Sequence, residues 1–90
     1  MAHTFDELVA MQRAAEQAHN RVQELRDRYG PPAHTQWTDV QAATYETALR
    51  AWRDLARDAE GAVIAYAKER GEKRGDVEAA VKEATGRQEE

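Results

Sequence analysis

The chain has 90 residues with no cysteine and no serine, and 17 acidic residues against 13 lysines and arginines give it a net charge of −4. This composition excludes disulfides and thiolate metal sites, and it removes the two commonest covalent nucleophiles of enzymes. No apolar run approaches the roughly 18 residues that span a membrane and no secretory signal opens the chain, so we expect a cytoplasmic protein. A single domain of this size has a small core, which favours pairing with a second copy.

The first predicted element is a helix over residues 4–29. Its start is marked by Thr4 and Glu7, which have the Thr-x-x-Glu spacing of a capping box. Gly30 and the two prolines after it end the helix, because proline cannot continue the hydrogen-bond pattern. Steps of three and four residues place one apolar stripe on this helix: Leu8, Met11, Ala15, Ala18, Val22, Leu25 and Tyr29.

The second predicted element is a long helix over residues 38–70, which begins at another capping box, Thr38 to Gln41. Residues 62–67 are apolar almost all round, so this segment should contact more than one neighbour. Ile64 lies off the main stripe and needs either another subunit or a third helix to cover it. The stripe consists of Tyr45, Ala48, Trp52, Leu55, Ala59, Ala62 and Tyr66, and the candidate interface residues are Tyr45, Trp52, Val63, Ile64 and Tyr66.

The last predicted element is a short helix over residues 76–85, which follows Gly71 and a polar turn and is capped by Asp76. We expect Val77 and Val81 to pack beside Ile64, and residues 86–90 to fray. The predicted fold class is therefore all-α, with residues 1–90 as a single helical domain. It is an antiparallel two-helix hairpin plus a short third helix, paired into a dimeric helical bundle.

No feature of the chain indicates an enzyme. Glu16 and His19 have the Glu-x-x-His spacing of di-iron bundles, but the stripe turns Glu16 away from the core and leaves His19 at its margin. His3 and His34 fall in a terminus and a loop, where a lone histidine is usually polar surface. We therefore predict no catalytic, cofactor-binding or metal-binding residue and no cofactor.

A helix-turn-helix over residues 62–85 is an alternative interpretation. Ala67, Gly71 and Val77 have the spacing of that motif, and the residues available to contact DNA would be Lys73, Arg74 and Lys82. Residues 62–90 carry six basic and seven acidic side chains, so the positive field that attracts phosphates is missing. A packing helix is favoured, and a DNA-binding regulator is kept as the alternative.

Three aromatic residues carry a family resemblance. Trp37 in the predicted turn, followed by Tyr45 and Trp52, makes residues 4–70 similar to the Trp-x-Gly (ESAT-like) family of small helical hairpins. This resemblance implies a homodimeric or heterodimeric four-helix bundle exported by an actinobacterial type VII system without a cleaved signal peptide. The turn reads Trp37-Thr38-Asp39 and lacks the family's glycine, and Arg70 stands where the family's tail motif has an acid.

From these patterns we expect a small helical protein–protein interaction module, a non-enzymatic accessory or regulatory protein. Its partner would be itself, as a homodimer, or another helical protein, with no membrane contact. The two alternatives are the helix-turn-helix regulator and the type VII secreted hairpin.

Overall fold

The computed structural model describes residues 3–31 and 35–87, and within these ranges the protein is built from helices without a strand. Helix α1 spans Phe5–Tyr29, α2 spans Asp39–Arg70 and α3 spans Arg74–Arg87. The first two run antiparallel as a hairpin, and α3 packs on the end where α1 begins and α2 finishes. The predicted all-α class is confirmed.

Both predicted capping boxes form and set the first residue of each long helix. The hydroxyl of Thr4 accepts a hydrogen bond from the Glu7 amide (3.1 Å), and that of Thr38 accepts one from the Gln41 amide (3.1 Å). Each threonine is the cap, so the helix starts one residue later than predicted. The His3 ring lies 3.2 Å from the Glu7 carboxylate, and this contact, reinforced by the backbone N–H of Thr4, lowers the pKa of Glu7 below its usual 4.5.

Two glycines with positive φ end the long helices. Gly30 has φ 84°, and a Cβ on it would lie 2.7 Å from the Thr35 hydroxyl oxygen, so a larger residue would collide as well as strain the backbone. Gly71 has φ 67° in the left-handed region, and its N–H bonds to the Ala67 and Lys68 carbonyls. These positions fix where the chain turns out of α1 and α2.

Helix α3 is longer than the predicted 76–85. The Lys73 carbonyl accepts hydrogen bonds from the amides of Asp76 (3.1 Å) and Val77 (3.2 Å), so the first turn forms before Asp76, which lies inside the helix and is not its cap. The helix also includes Gly86 and Arg87, which were expected to fray, while the rest of the predicted tail, 88–90, is outside the described residues.

The main core lies where all three helices meet. It consists of Leu8, Val9, Ala62, Val63, Ala67, Val77, Val81 and Ala84. Val77 and Val81 face inward as predicted, with 3% and 1% of their surfaces exposed. Thr85 is also buried, and its hydroxyl donates to the Val81 carbonyl (2.8 Å), which satisfies the one polar group on the inner face of α3.

Two predictions about α2 are wrong. Leu55 was assigned to the inner stripe but is 37% exposed, and Ile64, expected beside Val77 and Val81, is 41% exposed. The reason is the position of α3, which packs over Val63 and Ala67 and not over the next face of the helix. The same position of α3 buries Val9, which the single stripe predicted for α1 had omitted.

The turn end of the hairpin is held by aromatic residues in place of a third helix. The Trp37 ring packs edge-on against Tyr29 and Tyr45, with ring centroids 5.5 and 5.0 Å apart. Its indole Nε1–H donates to the Gly30 carbonyl (3.0 Å). The loop is therefore tied to both helices by one side chain.

Candidate interaction site

Helix α3 covers only one side of the hairpin, and only at one end. At the turn end, α1 and α2 are each other's only helical neighbours among the described residues, and a groove runs along each side of their contact. Since consecutive helical residues are 100° apart, Ala51 and Trp52 fall on the two different sides. We call these two surfaces the Trp52 groove and the Ala51 face.

The Trp52 groove lies on the same side of the hairpin as α3. The His19 ring packs on Trp52 with centroids 4.6 Å apart and an angle of 39° between the planes, and the Gln23 amide nitrogen lies 3.4 Å from His19 Nε2. The groove has a volume of about 370 Å³, and Trp52 itself is only half-buried. Its lining is His19, Val22, Gln23, Arg26, Asp27, Tyr45, Leu49 and Trp52.

The groove continues toward α3 as a second concavity of about 290 Å³. Its floor contains Ala59 and Val81, and charged side chains from all three helices, including Glu16 and Arg74, lie at its rim. Glu16 is exposed, as the sequence predicted, and His19 packs on an indole. In the part of the chain that the structure describes, no three His, Asp or Glu side chains are grouped as metal ligands would be.

The Ala51 face lies on the opposite side of the hairpin and is the more apolar of the two. It forms a shallow groove of about 560 Å³. Val40 is 75% exposed at one end, and Leu55 (37% exposed) lies one helical turn beyond Ala51 at the other. The lining is Arg21, Leu25, Val40, Ala43, Thr44, Thr47, Ala48 and Ala51.

No family model, curated protein or solved structure matches this chain. The resemblance of residues 4–70 to the Trp-x-Gly family therefore stays a prediction from Trp37, Tyr45 and Trp52. Among the described residues, none of the helices has the length and apolar character needed to cross a membrane.

The five predicted interface residues do not form one surface. Tyr45 and Trp52 share the Trp52 groove. Val63 is buried under α3 at 5% exposure and offers no surface to a partner, while Ile64 is exposed on another side of α2. Tyr66 packs at the opposite end of the hairpin against the Phe5 ring, with centroids 6.4 Å apart. The pattern of α2 placed Tyr45, Trp52 and Tyr66 on one stripe with Ile64 off it, and the position of α3 separates the stripe into a covered part and an uncovered part.

The three residues predicted to contact DNA differ in the contacts that their side chains make within the protein. The Arg74 guanidinium bonds to the carboxylates of Glu60 (2.7 Å) and Glu78 (2.9 Å). The bonds to Glu78 and then Glu60 raise the pKa of Arg74 and engage its charge within the protein. Lys73 and Lys82 are exposed, with acidic residues of α3 around them.

The sequence analysis did not predict the Ala51 face as a surface of its own. Val40, Thr44, Thr47, Ala51 and Leu55 recur at steps of four, three, four and four, which is a helical stripe of its own. It was overlooked because Leu55 was assigned to the inner stripe and the other members are small or β-branched.

Proposed function

We propose that this chain is a small helical protein–protein interaction module, a non-enzymatic accessory or regulatory protein. The observation that carries the proposal is the uncovered turn end of the hairpin, where a groove lined by aromatic and polar residues and an apolar groove run along the two sides of only two helices. A hairpin face of this kind gains stability by burial against another helix, so the partner is a second copy of the chain or another helical protein.

The aromatic residues of the Trp52 groove support a binding role. Large aromatic side chains at the centre of a concave surface are the residues that most often dominate binding energies between proteins. Trp52 and Tyr45 lie in such a concavity, half-buried and held in place by His19 and Trp37. A helix laid into this groove would extend the line of α3 and complete a three-helix arrangement along the hairpin.

Site-specific photocrosslinking tests the proposal. A benzophenone amino acid at Gln23, which is exposed at the edge of the groove, should give one discrete adduct in cells of the source organism. The matched control carries the same group at Lys68, exposed at the other end of α2. Trp52→Glu in the Gln23 background should remove the adduct. Equal labelling at both positions, or an adduct that survives Trp52→Glu, would contradict binding in this groove.

A DNA-binding regulator and a type VII secreted hairpin remain alternatives from the sequence. The engaged guanidinium of Arg74 and the acidic surroundings of Lys73 and Lys82 weigh against the first. The second rests on the aromatic spacing alone, and a neighbouring gene for a second hairpin protein would support it.

A further inference from the structure

We propose that a second copy of this chain docks on the Ala51 face, with the two α2 helices antiparallel and crossing near Ala51. The inference deepens the proposed function by naming one partner and the surface that binds it, and it rests on that function. Three independent observations carry it: the exposed area, the composition of the face and the order of charges along its edge.

The exposed area of the chain exceeds that of a compact monomer. Its accessible surface is 6631 Å², whereas a compact protein of 10.2 kDa has about 5,300 Å². The radius of gyration is 16.1 Å, against about 12 Å for a compact chain of this length. The excess is larger than the roughly 800 Å² that each partner contributes to a standard protein interface. One isologous interface would therefore bring the exposed area per chain close to that of a compact monomer.

The composition of the Ala51 face suits close helix packing. Thr47 and Ala51 are small enough for two backbones to approach, and Leu55 and Val40 are the large apolar groups that such an approach would bury. In an antiparallel pair centred near Ala51, Leu55 of each copy lies opposite Thr47 of the other. A large side chain then meets a small one on both sides of the two-fold axis, which is how packed helices interdigitate.

The charges along one edge of the face select this orientation. Arg50 and Asp54 are both exposed on the flank of α2 that points away from α1, about 100° and about 60° around the helix from Ala51. An antiparallel copy centred near Ala51 brings Arg50 of each helix opposite Asp54 of the other, because the same flank of both helices then meets. In a parallel two-fold pair, this flank would meet the opposite flank of the partner, and the two charges would not pair. Flanking charges of this type set the orientation of paired helices more than their affinity.

The ion pair that Arg50 makes within its own helix does not prevent it from pairing with a second copy. Arg50 bonds to Glu46 in its own helix (2.8 Å), but both side chains are about 70% exposed, so the pair is weak and can rearrange. The other side of the stripe, next to α1, contains Ala48 of α2 and Arg21 of α1. An antiparallel pairing brings together the two flanks that carry Arg50 and Asp54, and keeps the two α1 sides on the other flank.

Sedimentation equilibrium of the full chain and two matched variants tests the surface. Wild type should be a dimer at micromolar concentration, and Ala51→Glu should raise the dissociation constant at least about 100-fold by burying an unpaired charge. Arg53→Glu, two residues away on the opposite side of α2, should leave the constant unchanged. Both sites are exposed in the monomer, and helicity measured by circular dichroism should stay intact in both variants.

A charge exchange and a cysteine crosslink test the orientation. Arg50→Glu or Asp54→Arg alone should weaken the dimer, and the two together should restore it. Because the chain has no cysteine, Ala51→Cys should form an intermolecular disulfide under mild oxidation, while Arg53→Cys should not.

Each failure has a distinct meaning. If the wild-type chain stays monomeric at about 100 μM, the inference is wrong. The Gln23 crosslinking result, and with it the proposed function, would be unaffected. A dimer that tolerates Ala51→Glu would also overturn the inference, because the copies would then meet elsewhere.

Discussion

At the residue scale, single side chains at the turn end replace the packing that α3 supplies at the other end. Trp37 contacts both long helices through Tyr29 and Tyr45 and also bonds to the backbone of Gly30. At the other end of α1, Glu7 closes a capping box and pairs with His3. Each of these residues combines an apolar or electrostatic contact with a defined hydrogen bond, so conservative substitutions can separate the two contributions.

Trp37→Phe should retain the aromatic packing and lose the bond from Nε1 to the Gly30 carbonyl (3.0 Å). We expect the free energy of unfolding to fall by about 1–2 kcal/mol, the net value of one hydrogen bond plus the smaller ring. Trp37→Ala should cost more, since it removes both. Urea denaturation measures the difference, and a Phe variant as stable as wild type would show that the indole bond contributes nothing.

Glu7→Gln should reduce the dependence of stability on pH below about pH 4.5. The folded-state pKa of Glu7 is lowered, so its contribution is present above the unfolded-state value and is lost as the pH falls through the folded-state value. Glutamine keeps the capping bond, as Gln41 does in the second box. Wild type should melt above the variant at pH 6, and the gap should narrow as the pH falls through the folded-state pKa of Glu7. A gap that does not change as the pH is lowered would contradict this explanation.

At the element scale, the caps and turns determine where each helix begins and ends. Gly71 adopts a left-handed conformation that ends α2, whereas Gly61 lies within α2, exposed, with open space around the position of a Cβ. Alanine is favoured over glycine in the helical backbone of Gly61 and disfavoured in the left-handed backbone of Gly71. The two glycines form a natural matched pair for testing the end of α2.

Gly61→Ala should stabilise the protein by about 1 kcal/mol, because alanine is the better helix former and meets no neighbour. Gly71→Ala should destabilise it by about 1 kcal/mol, because an L-residue is strained at φ 67°. Thermal denaturation followed by circular dichroism checks both signs. The assignment of the helix end would be wrong if the two substitutions shifted the melting temperature in the same direction.

Aspartate substitutions at one buried and one exposed position of α3 test whether this helix packs on the hairpin. Val81 is 1% exposed, so Val81→Asp should lower the free energy of unfolding by more than about 3 kcal/mol by burying an unpaired charge. Ala79→Asp, on the exposed side, carries the larger helix-propensity cost of the two and should still lower it by less than about 1 kcal/mol. Equal losses in urea denaturation would mean that α3 does not dock on the hairpin.

At the scale of the whole molecule, the protein is a rod with two unlike ends. Its extents are 50 × 28 × 18 Å, and three helices share a core at one end while two helices and an aromatic loop form the other. The net charge is −4, and residues 62–90, which include Lys73 and Lys82, carry seven acidic against six basic side chains. Shape and charge together favour a partner that lies along the hairpin over a polyanion.

Duplex DNA should therefore bind weakly at most. We expect no complex at micromolar protein and about 0.1 M salt in a mobility-shift assay, and the variant Lys73→Ala with Lys82→Ala should behave identically. A complex whose log-log salt slope fell by about two units in that variant would establish DNA binding and reject the present interpretation.

The sequence by itself determined the presence of three helices, the caps of α1 and α2 and the inward side of α3. These features depend on neighbours in the chain: a threonine three residues before a carboxyl or amide side chain, a glycine after the last turn, and Val77 and Val81 one turn apart. Periodicity gives the direction of a side chain around its own helix axis. It does not say which neighbour occupies that direction.

Only the tertiary structure decided which surfaces were covered. Helix α3 could have packed over Ile64 or over Val63, since both are apolar residues of the same turn of α2. Its position, next to Glu60 and across α1, buried Val63 and Val9 and left Ile64 and the whole Ala51 face exposed. That choice depends on the three-residue turn after Arg70 and on contacts between residues far apart in the chain, which a local pattern does not contain.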